Sequence, residues 1–390
     1  MNKEEKFLLI NEIFTPSSPI ENKEFFSGRT KQYDEIWETI NEKGQHAIMY
    51  GQRGAGKTSL ANMCLHMFEN LMSIKVTCNR NDTFESIWER ALKKISFVHA
   101  ENSIGYNPSE KINVHPIEVP EIQFLTPTEI EQILIRINEH FLFIFDEFDI
   151  IQNKRVRAKM ADMLKLFSDS MHQITVLIIG IAESVEHLIG EHPSIERCTK
   201  QIELPLMNVS EAKEIIENNL NLISLKIESN ILEQIIEFAS GFPNYIHLLC
   251  KYAAKEAITN DQKVITKQHF NQAVLKSIEN SDYSIKNSYA LATKGISAQN
   301  QFANVLLACA LANTDNNNTF DSMDVLNKYN YITGQNHKKE SINYNLGMLC
   351  KKERAEILKK AGKSKKTRYK FKKPLLKAFV KLKQHVGMIK

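Results

Sequence analysis

The chain has 390 residues, of which 43% are hydrophobic and 25% charged, a balance that excludes a disordered or collagen-like chain and a length that holds two or three domains with their own cores. Its net charge of +4 conceals an imbalance: residues 351–390 hold 14 Lys and 2 Arg against 2 Glu, a net of +14, so residues 1–350 carry −10. A polyanionic partner is expected at the C-terminal end. The six cysteines, Cys64, Cys78, Cys198, Cys250, Cys309 and Cys350, are widely spaced with no C-x-x-C pair, which argues against a zinc site or a disulfide framework. They read as small buried hydrophobes in a reducing compartment. The N-terminus lacks a signal-peptide pattern and no apolar run approaches 18 residues, so a cytoplasmic protein with no membrane partner is expected.

In chain order, residues 1–20 read as an irregular lead, because Pro16 and Pro19 interrupt regular structure. Tyr33, Ile36, Trp37 and Ile40 then fall at helical spacing, which predicts an amphipathic helix over 30–43 preceded by Phe26-Ser27-Gly28-Arg29. The stretch HAIMYGQRGAGKTSLA, residues 46–61, follows as an apolar strand, a glycine-rich loop and a helix. Gly51 to Thr58 fits G-x-x-x-x-G-K-[ST], the phosphate-binding loop.

Each residue type in that loop has a mechanical reason. Gly51, Gly54 and Gly56 allow close approach, so the backbone N–H groups of Gln52, Arg53, Ala55 and Ser59 and their neighbours can converge on a phosphate. Lys57 is placed to reach the β- and γ-phosphates, Thr58 to hold Mg²⁺, and the helix N-terminus to favour the anion. A glycine-rich turn that binds nothing is the bland alternative. The strand and helix on either side favour an ATP- or GTP-binding loop.

After that helix, residues 73–79 alternate like a strand, and 82–95 read as a helix capped by Asp82 with Glu85 closing a capping box. Residues 99–126 are polar and proline-punctuated and read as a surface insertion. FLFIFDEFD, residues 141–149, reads as a strand buried on both faces with acids at its C-terminal end, the end of an open α/β sheet where ligands bind. There Asp146 is a metal-orienting candidate and Glu147 a candidate to polarise the attacking water. TVLIIGIA (175–182) is a further strand, and HPSIERCTKQIELP leads into another, so that four or five strands alternating with helices make a doubly wound α/β sheet.

About 75 helix-rich residues follow from Ser210. Next, 302–312 predicts an apolar helix, 322–329 a second one with Ser322 as N-cap, and 338–352 a third with Ile342, Leu346 and Leu349 on one face. Residues 355–371 read as two strands around a basic turn centred on Gly362, a winged-helix outline. Lys359, Lys360, Lys363, Lys365, Lys366, Arg368 and Lys370, interleaved with Tyr369 and Phe371, are candidates for nucleic-acid phosphates, with Asn343 and Asn345 on the third helix left to read bases. Two alternatives stay open: the basic segment binds an acidic protein or folds back on the acidic part as a latch, or it is a solvated face.

FFSGR, GQRGAGKTS, FDEFD, SIERC and ASGFPNYIHLL together resemble AAA+ ATPases of the origin-recognition and replication-initiator type, and are also close to the STAND-like bacterial ATPases. The resemblance covers residues 12 to about 280 and implies a P-loop AAA+ core over 21–208, a helical lid over 209–280 and a winged helix with basic wing and tail over 297–390. It implies ATP and Mg²⁺ as cofactors, Arg29 as an adenine-side residue, and Arg197 as an arginine that reaches the γ-phosphate held by a neighbouring subunit. Two departures from the pattern stand out. Glu183, followed by Ser184, occupies the position where initiators usually place a γ-phosphate-sensing asparagine, and the lid offers Gly241-Phe242-Pro243-Asn244, closer to the G-x-P of STAND proteins, in place of an arginine. Slow or partner-dependent hydrolysis is therefore expected. The functional expectation is an ATP-binding, DNA-associated switch that self-associates through a trans arginine; the alternative is a STAND-like regulatory or anti-phage defence ATPase acting on an effector protein.

Overall fold

The computed structural model describes residues 1–67, 71–104, 125–137, 139–170, 173–182, 185, 188, 193–294, 298–315, 318–361 and 367–389. They divide into two compact units: Pro19–Pro205, and a second assembled from Met1–Ser18 with Leu206–Lys390. The two are taken in turn.

In the first unit five parallel strands, β1 (His46–Gly51), β2 (Met72–Thr77), β3 (Phe141–Asp146), β4 (Ile174–Ile181) and β5 (Thr199–Glu203), stand in the order β2-β3-β4-β1-β5. An all-parallel sheet needs cover on both faces, and the sequence supplies it. Ala55, Leu60, Ala61 and Cys64, at and along the helix Lys57–Met67, pack with Ile36 against Leu142, Ile144, Leu177 and Ile179 on one face. On the other, Trp88 of the helix Phe84–Ile104 sits edge-on to Phe143 at 5.0 Å and Phe145 at 5.2 Å, with Phe167 of the helix Lys154–Ser170 at 5.7 Å. The edge strand β2 is closed to further pairing, because Arg90 and Lys94 donate to the carbonyls of Thr77 and Lys75.

Local capping differs from expectation here. Ser86 N–H donates to Thr83 Oγ1 at 3.2 Å and Thr83 N–H to Ser86 Oγ at 3.0 Å, so Thr83 and Ser86 form the reciprocal pair. Asp82 instead pairs with Arg90, and Glu85 with Lys159. Of the 99–126 insertion, residues 105–124 lie outside the described residues.

In the second unit the first twenty residues are not irregular. Lys3–Ile13 is a helix closed by an Asn2/Glu5 capping box, and Ile10, Ile13 and Phe14 are fully buried, on the helix Pro243–Thr259 among others. The prolines act only after Phe14. Helices Val209–Leu222, Ser229–Ala239, Pro243–Thr259 and Lys267–Glu279 form the lid. Beyond Tyr283–Ala292 come Ala298–Leu311, Ser322–Thr333 and Lys339–Leu349 with a three-stranded sheet in which Arg368–Phe371 lies between Phe320–Asp321 and Leu358–Ala361: a winged helix. The N-cap of its second helix is Asp321, not Ser322, since the Asp321 carboxylate accepts from Met323 and Asp324 N–H. The expected basic tail is a helix too, Leu376–Ile389, whose Leu376, Phe379, Val380 and Leu382 are buried. His385 and Phe238 and Phe270 of the lid close into a ring cluster with centroids 5.1–5.8 Å apart. Among the described residues no helix is long and apolar enough to cross a membrane.

Two buried histidines link stability to pH. His46 Nδ1 accepts from Val176 N–H at 3.2 Å while Nε2 meets the Leu164 carbonyl at 2.9 Å, and burial pushes its pKa to about 4. His247 Nδ1 accepts from Thr15 N–H, and burial, then Lys251, hold it at about 4 as well. Both folded values lie below the ordinary 6.5, so the unfolded chain binds more protons between them. The stability these neutral rings contribute is present above pH 6.5 and lost as pH falls toward 4, about 1.4 kcal/mol per histidine per unit. Melting at pH 7 and pH 5 should therefore differ by several degrees, and equal melting temperatures would dissociate these rings from stability.

Candidate nucleotide site

The C-terminal ends of β1 and β3 bring the two chemical stretches to the same edge of the sheet. Gly54 and Gly56 take φ of +84° and +97°, a region that penalises any side chain, and a Cβ at Gly51 would come within 2.3 Å of the Leu204 carbonyl oxygen. The loop can only be built with glycine at these points. Lys57, 8% exposed, donates to the carbonyls of Gly51 at 2.9 Å and Gln52 at 3.0 Å. Burial lowers its pKa to about 8, opposed by Asp149, Asp146 and Glu147. A desolvated ammonium cradled by carbonyls beside a helix N-terminus is a site made for an anion.

Asp146 ends β3, 2% exposed, with Oδ1 accepting from Glu147 N–H at 2.9 Å. Glu147 is exposed and left-handed at φ 57°, ψ 33°, a conformation costing about 1 kcal/mol for a non-glycine residue. The fully buried Phe148 fixes that kink and turns Glu147 outward. Sequence reading assigned nothing to Asp149, yet its Oδ1 accepts from Ile181 N–H at 2.8 Å and ties the acidic turn to the end of β4. Glu183 and Ser184, just beyond, lie outside the described residues.

Arg29 is the residue expected on the adenine side. It is 2% exposed at φ 70°, and Nη2 donates to Ala55 O at 3.0 Å and Pro205 O at 2.7 Å, so it braces the phosphate loop against the end of the unit. Ile20 N–H donates to Ser59 Oγ at 3.2 Å. Arg197 is exposed at the end of the short helix Pro193–Cys198. Thr199, two residues on, pairs with His46 at the start of β1, whereas Lys57 follows that strand's end. A six-residue strand of about 20 Å therefore separates Arg197 from the phosphate loop of its own chain.

In the winged helix several candidates change standing. Arg368 ion-pairs with Asp315 at 3.1 Å and donates to Thr319 O at 2.8 Å, so its guanidinium is used inside the fold. Tyr369 and Phe371 are buried and cannot stack on bases; Asn345, 1% exposed, is likewise a core residue, while Asn343 and its neighbour Tyr344 are exposed. Lys359 and Lys370 sit directly opposite each other across the hairpin, with Lys360 exposed beside them. Lys363, Lys365, Lys366 and Gly362 lie outside the described residues.

The parallel sheet, the glycine-constrained loop with its buried lysine, and the acidic strand end define a P-loop NTPase of AAA+ type. The fold is shared with the Walker-type ATPase of Pyrococcus abyssi, at 16% identity and TM-score 0.58 over 95% of this chain and 99% of that one. It is shared also with the ORC2 protein of Aeropyrum pernix in ADPNP–ADP complexes, at 14% identity and TM-score 0.52 over 97% and 98%. No curated protein sequence matches. The family model described as novel STAND NTPase 1 matches residues 18–319, and the chain belongs to that family.

Proposed function

We propose that the protein is an ATP-dependent molecular switch that hydrolyses slowly, associates with duplex DNA through its winged helix and assembles with copies of itself. The observation that carries the nucleotide part is the buried Lys57 held on the Gly51 and Gln52 carbonyls at the sheet edge where Asp146 and Glu147 end β3. In this reading Gly51 to Ser59 wrap the phosphates with backbone N–H groups, and Lys57 turns to the β- and γ-oxygens. The donor set fits Mg²⁺, which takes one or two protein oxygens and fills the rest with phosphate and water: a hydroxyl at Thr58 and a carboxylate at Asp146 would hold it. Bound there, it would neutralise charge on the transferring phosphoryl group. Glu147, turned outward by its left-handed backbone, would orient and deprotonate the attacking water. Arg197, about a strand length from its own loop, would serve a neighbour's phosphate.

The switch reading draws support from connectivity. The chain passes between its units at Ser18–Pro19 and Pro205–Leu206, and both passages are hydrogen-bonded to the nucleotide loop or its helix, through Arg29 to Pro205 and Ser59 to Ile20. Lid and winged helix belong to one unit, joined by the helix Leu376–Ile389, so whatever moves the lid carries the wing.

Lys359 and Lys370 face each other across the hairpin with Lys360 beside them, a local concentration of positive charge that fits a polyanion. If DNA is the polyanion, log K should fall with log salt by about 0.9 per phosphate neutralised. Replacing Lys359, Lys360 and Lys370 together with Ala should flatten that slope by up to about three units, read by fluorescence anisotropy at several salt concentrations. An unaltered slope with raised basal ATP hydrolysis would instead favour a basic segment that folds back on the acidic part of the chain as a latch. That second reading, a STAND-like regulator of an effector protein including one for anti-phage defence, is favoured by the family match and by Gly241-Phe242-Pro243. Gly241 is left-handed at φ 79° and a Cβ there would come within 2.7 Å of the Met207 carbonyl oxygen, so this lid turn requires glycine.

A further inference from the structure

One cation of the nucleotide site has no assigned role. Lys75 lies in the middle of β2, among apolar residues on a strand whose other face is core, a costly place for a charge unless it is paired. Its side chain is 14% exposed, and its Nζ stands 3.2 Å from Asp146 Oδ2 and 2.7 Å from Asn62 Oδ1. The other Asp146 oxygen accepts from Glu147 N–H, so both oxygens of the carboxylate are engaged by donors of this chain. Asn62 belongs to the helix that opens with the phosphate loop, four residues after Thr58 and hence on the same helical face one turn behind it. Asn62 Nδ2 in turn donates to the Ile20 carbonyl at 3.4 Å.

We infer that Lys75 is a built-in counter-cation for Asp146 that competes with Mg²⁺ for this carboxylate and so sets the metal concentration at which the site tightens on nucleotide. The inference rests on the proposed reading of the site as a nucleotide site. The physical reason is charge and geometry together. With Lys75 in place the pair is neutral and Oδ2 is occupied; a divalent ion next to it meets a neighbouring ammonium and must share the carboxylate. Retracting Lys75 toward Asn62 frees Oδ2, and Asn62 is the group that makes such retraction possible because it already holds the same ammonium. Lys75 acts through Asp146, so it is a positioning residue.

The test measures the affinity of a fluorescent ATP analogue across free Mg²⁺ from chelator to 10 mM, and reads the Mg²⁺ concentration at half-effect. Lys75→Met should lower that midpoint by tenfold or more, and Lys75→Arg, which keeps the charge, should leave it within about threefold of wild type. Asn62→Leu, which removes the alternative resting place of the ammonium, should raise it. The opposite shifts keep the inference exposed even where one variant folds poorly. An unchanged midpoint in Lys75→Met, or a midpoint that rises in it, would overturn the inference and make Lys75 a structural partner or a helper of the metal. Failure of the nucleotide reading looks different: wild-type protein would then bind no analogue at any Mg²⁺ concentration, and both would fall.

Discussion

Lys57→Ala should abolish measurable nucleotide binding, raising the dissociation constant for ATP by at least about a hundredfold. Lys57 is the buried ammonium of the loop, and its loss leaves the Gly51 and Gln52 carbonyls, which it now satisfies at 2.9 and 3.0 Å, without that donor next to the incoming phosphates. The two charge-assisted hydrogen bonds that its ammonium would make to the β- and γ-phosphate oxygens, of about 1.5–3 kcal/mol each, would go. At about 1.4 kcal/mol per tenfold, that is two to four orders of magnitude. Burial lowers the Lys57 pKa in the empty site to about 8, whereas phosphates would favour the charged form. Wild-type affinity should therefore fall as pH rises past 8, with proton uptake on binding. Titration calorimetry in buffers of different ionisation heat reads both quantities. Wild-type affinity in Lys57→Ala would mean that the phosphates sit elsewhere.

Glu147→Gln should keep ATP and stop turnover, with hydrolysis reduced by about 10²–10⁴-fold, the span of a general base. The amide is isosteric, and the left-handed turn around Phe148 does not depend on the carboxylate. Arg197→Ala should also lower hydrolysis, for a reason outside its own pocket. Mixing the two variants would then restore part of the rate, because the Glu147→Gln subunits bring intact arginines to the intact pockets of the others. A mixture no more active than the sum of its parts would remove Arg197 from catalysis and leave the strand-length separation without a functional meaning.

The P-loop, the acidic strand end and the run of parallel strands were legible because each is local: glycine spacing, one apolar run, one helix start. What stayed hidden is set by tertiary partners. The lysines of LKAFVKLKQHVGMI make the C-terminal segment read as a basic tail for a polyanion, yet Lys381 lays its stem along the lid and donates to the Glu237 carbonyl at 3.0 Å, its pKa lowered by burial to about 8. Arg368 reads as a phosphate contact from its basic neighbours alone, whereas its ion-pair partner Asp315 lies 53 residues earlier in the chain. Asn345 falls on the same helical stripe as Ile342 and Leu349, and a polar residue on a core stripe cannot be told from a surface one by type alone. At the N-terminus the turn signal of Pro16 and Pro19 outweighed the Asn2/Glu5 box that does open a helix. Lys75 is invisible as a site residue in the sequence because only the β2–β3 register, with Lys75 opposite Ile144 and Thr77 opposite Asp146, brings its ammonium within reach of that carboxylate.

The helical unit is assembled from both ends of the chain, its first helix preceding Pro19 and the remainder following Pro205. During synthesis the sheet unit is complete by residue 205, while Ile10, Ile13 and Phe14 must wait for the helix Pro243–Thr259 to emerge before they can be buried. The nascent protein thus spends that interval with a finished sheet unit and an N-terminal helix whose Ile10 and Ile13 lack their partners, a stage at which chaperones would find it. Trimming the first 18 residues would leave the lid with the vacated groove of that helix permanently open to water.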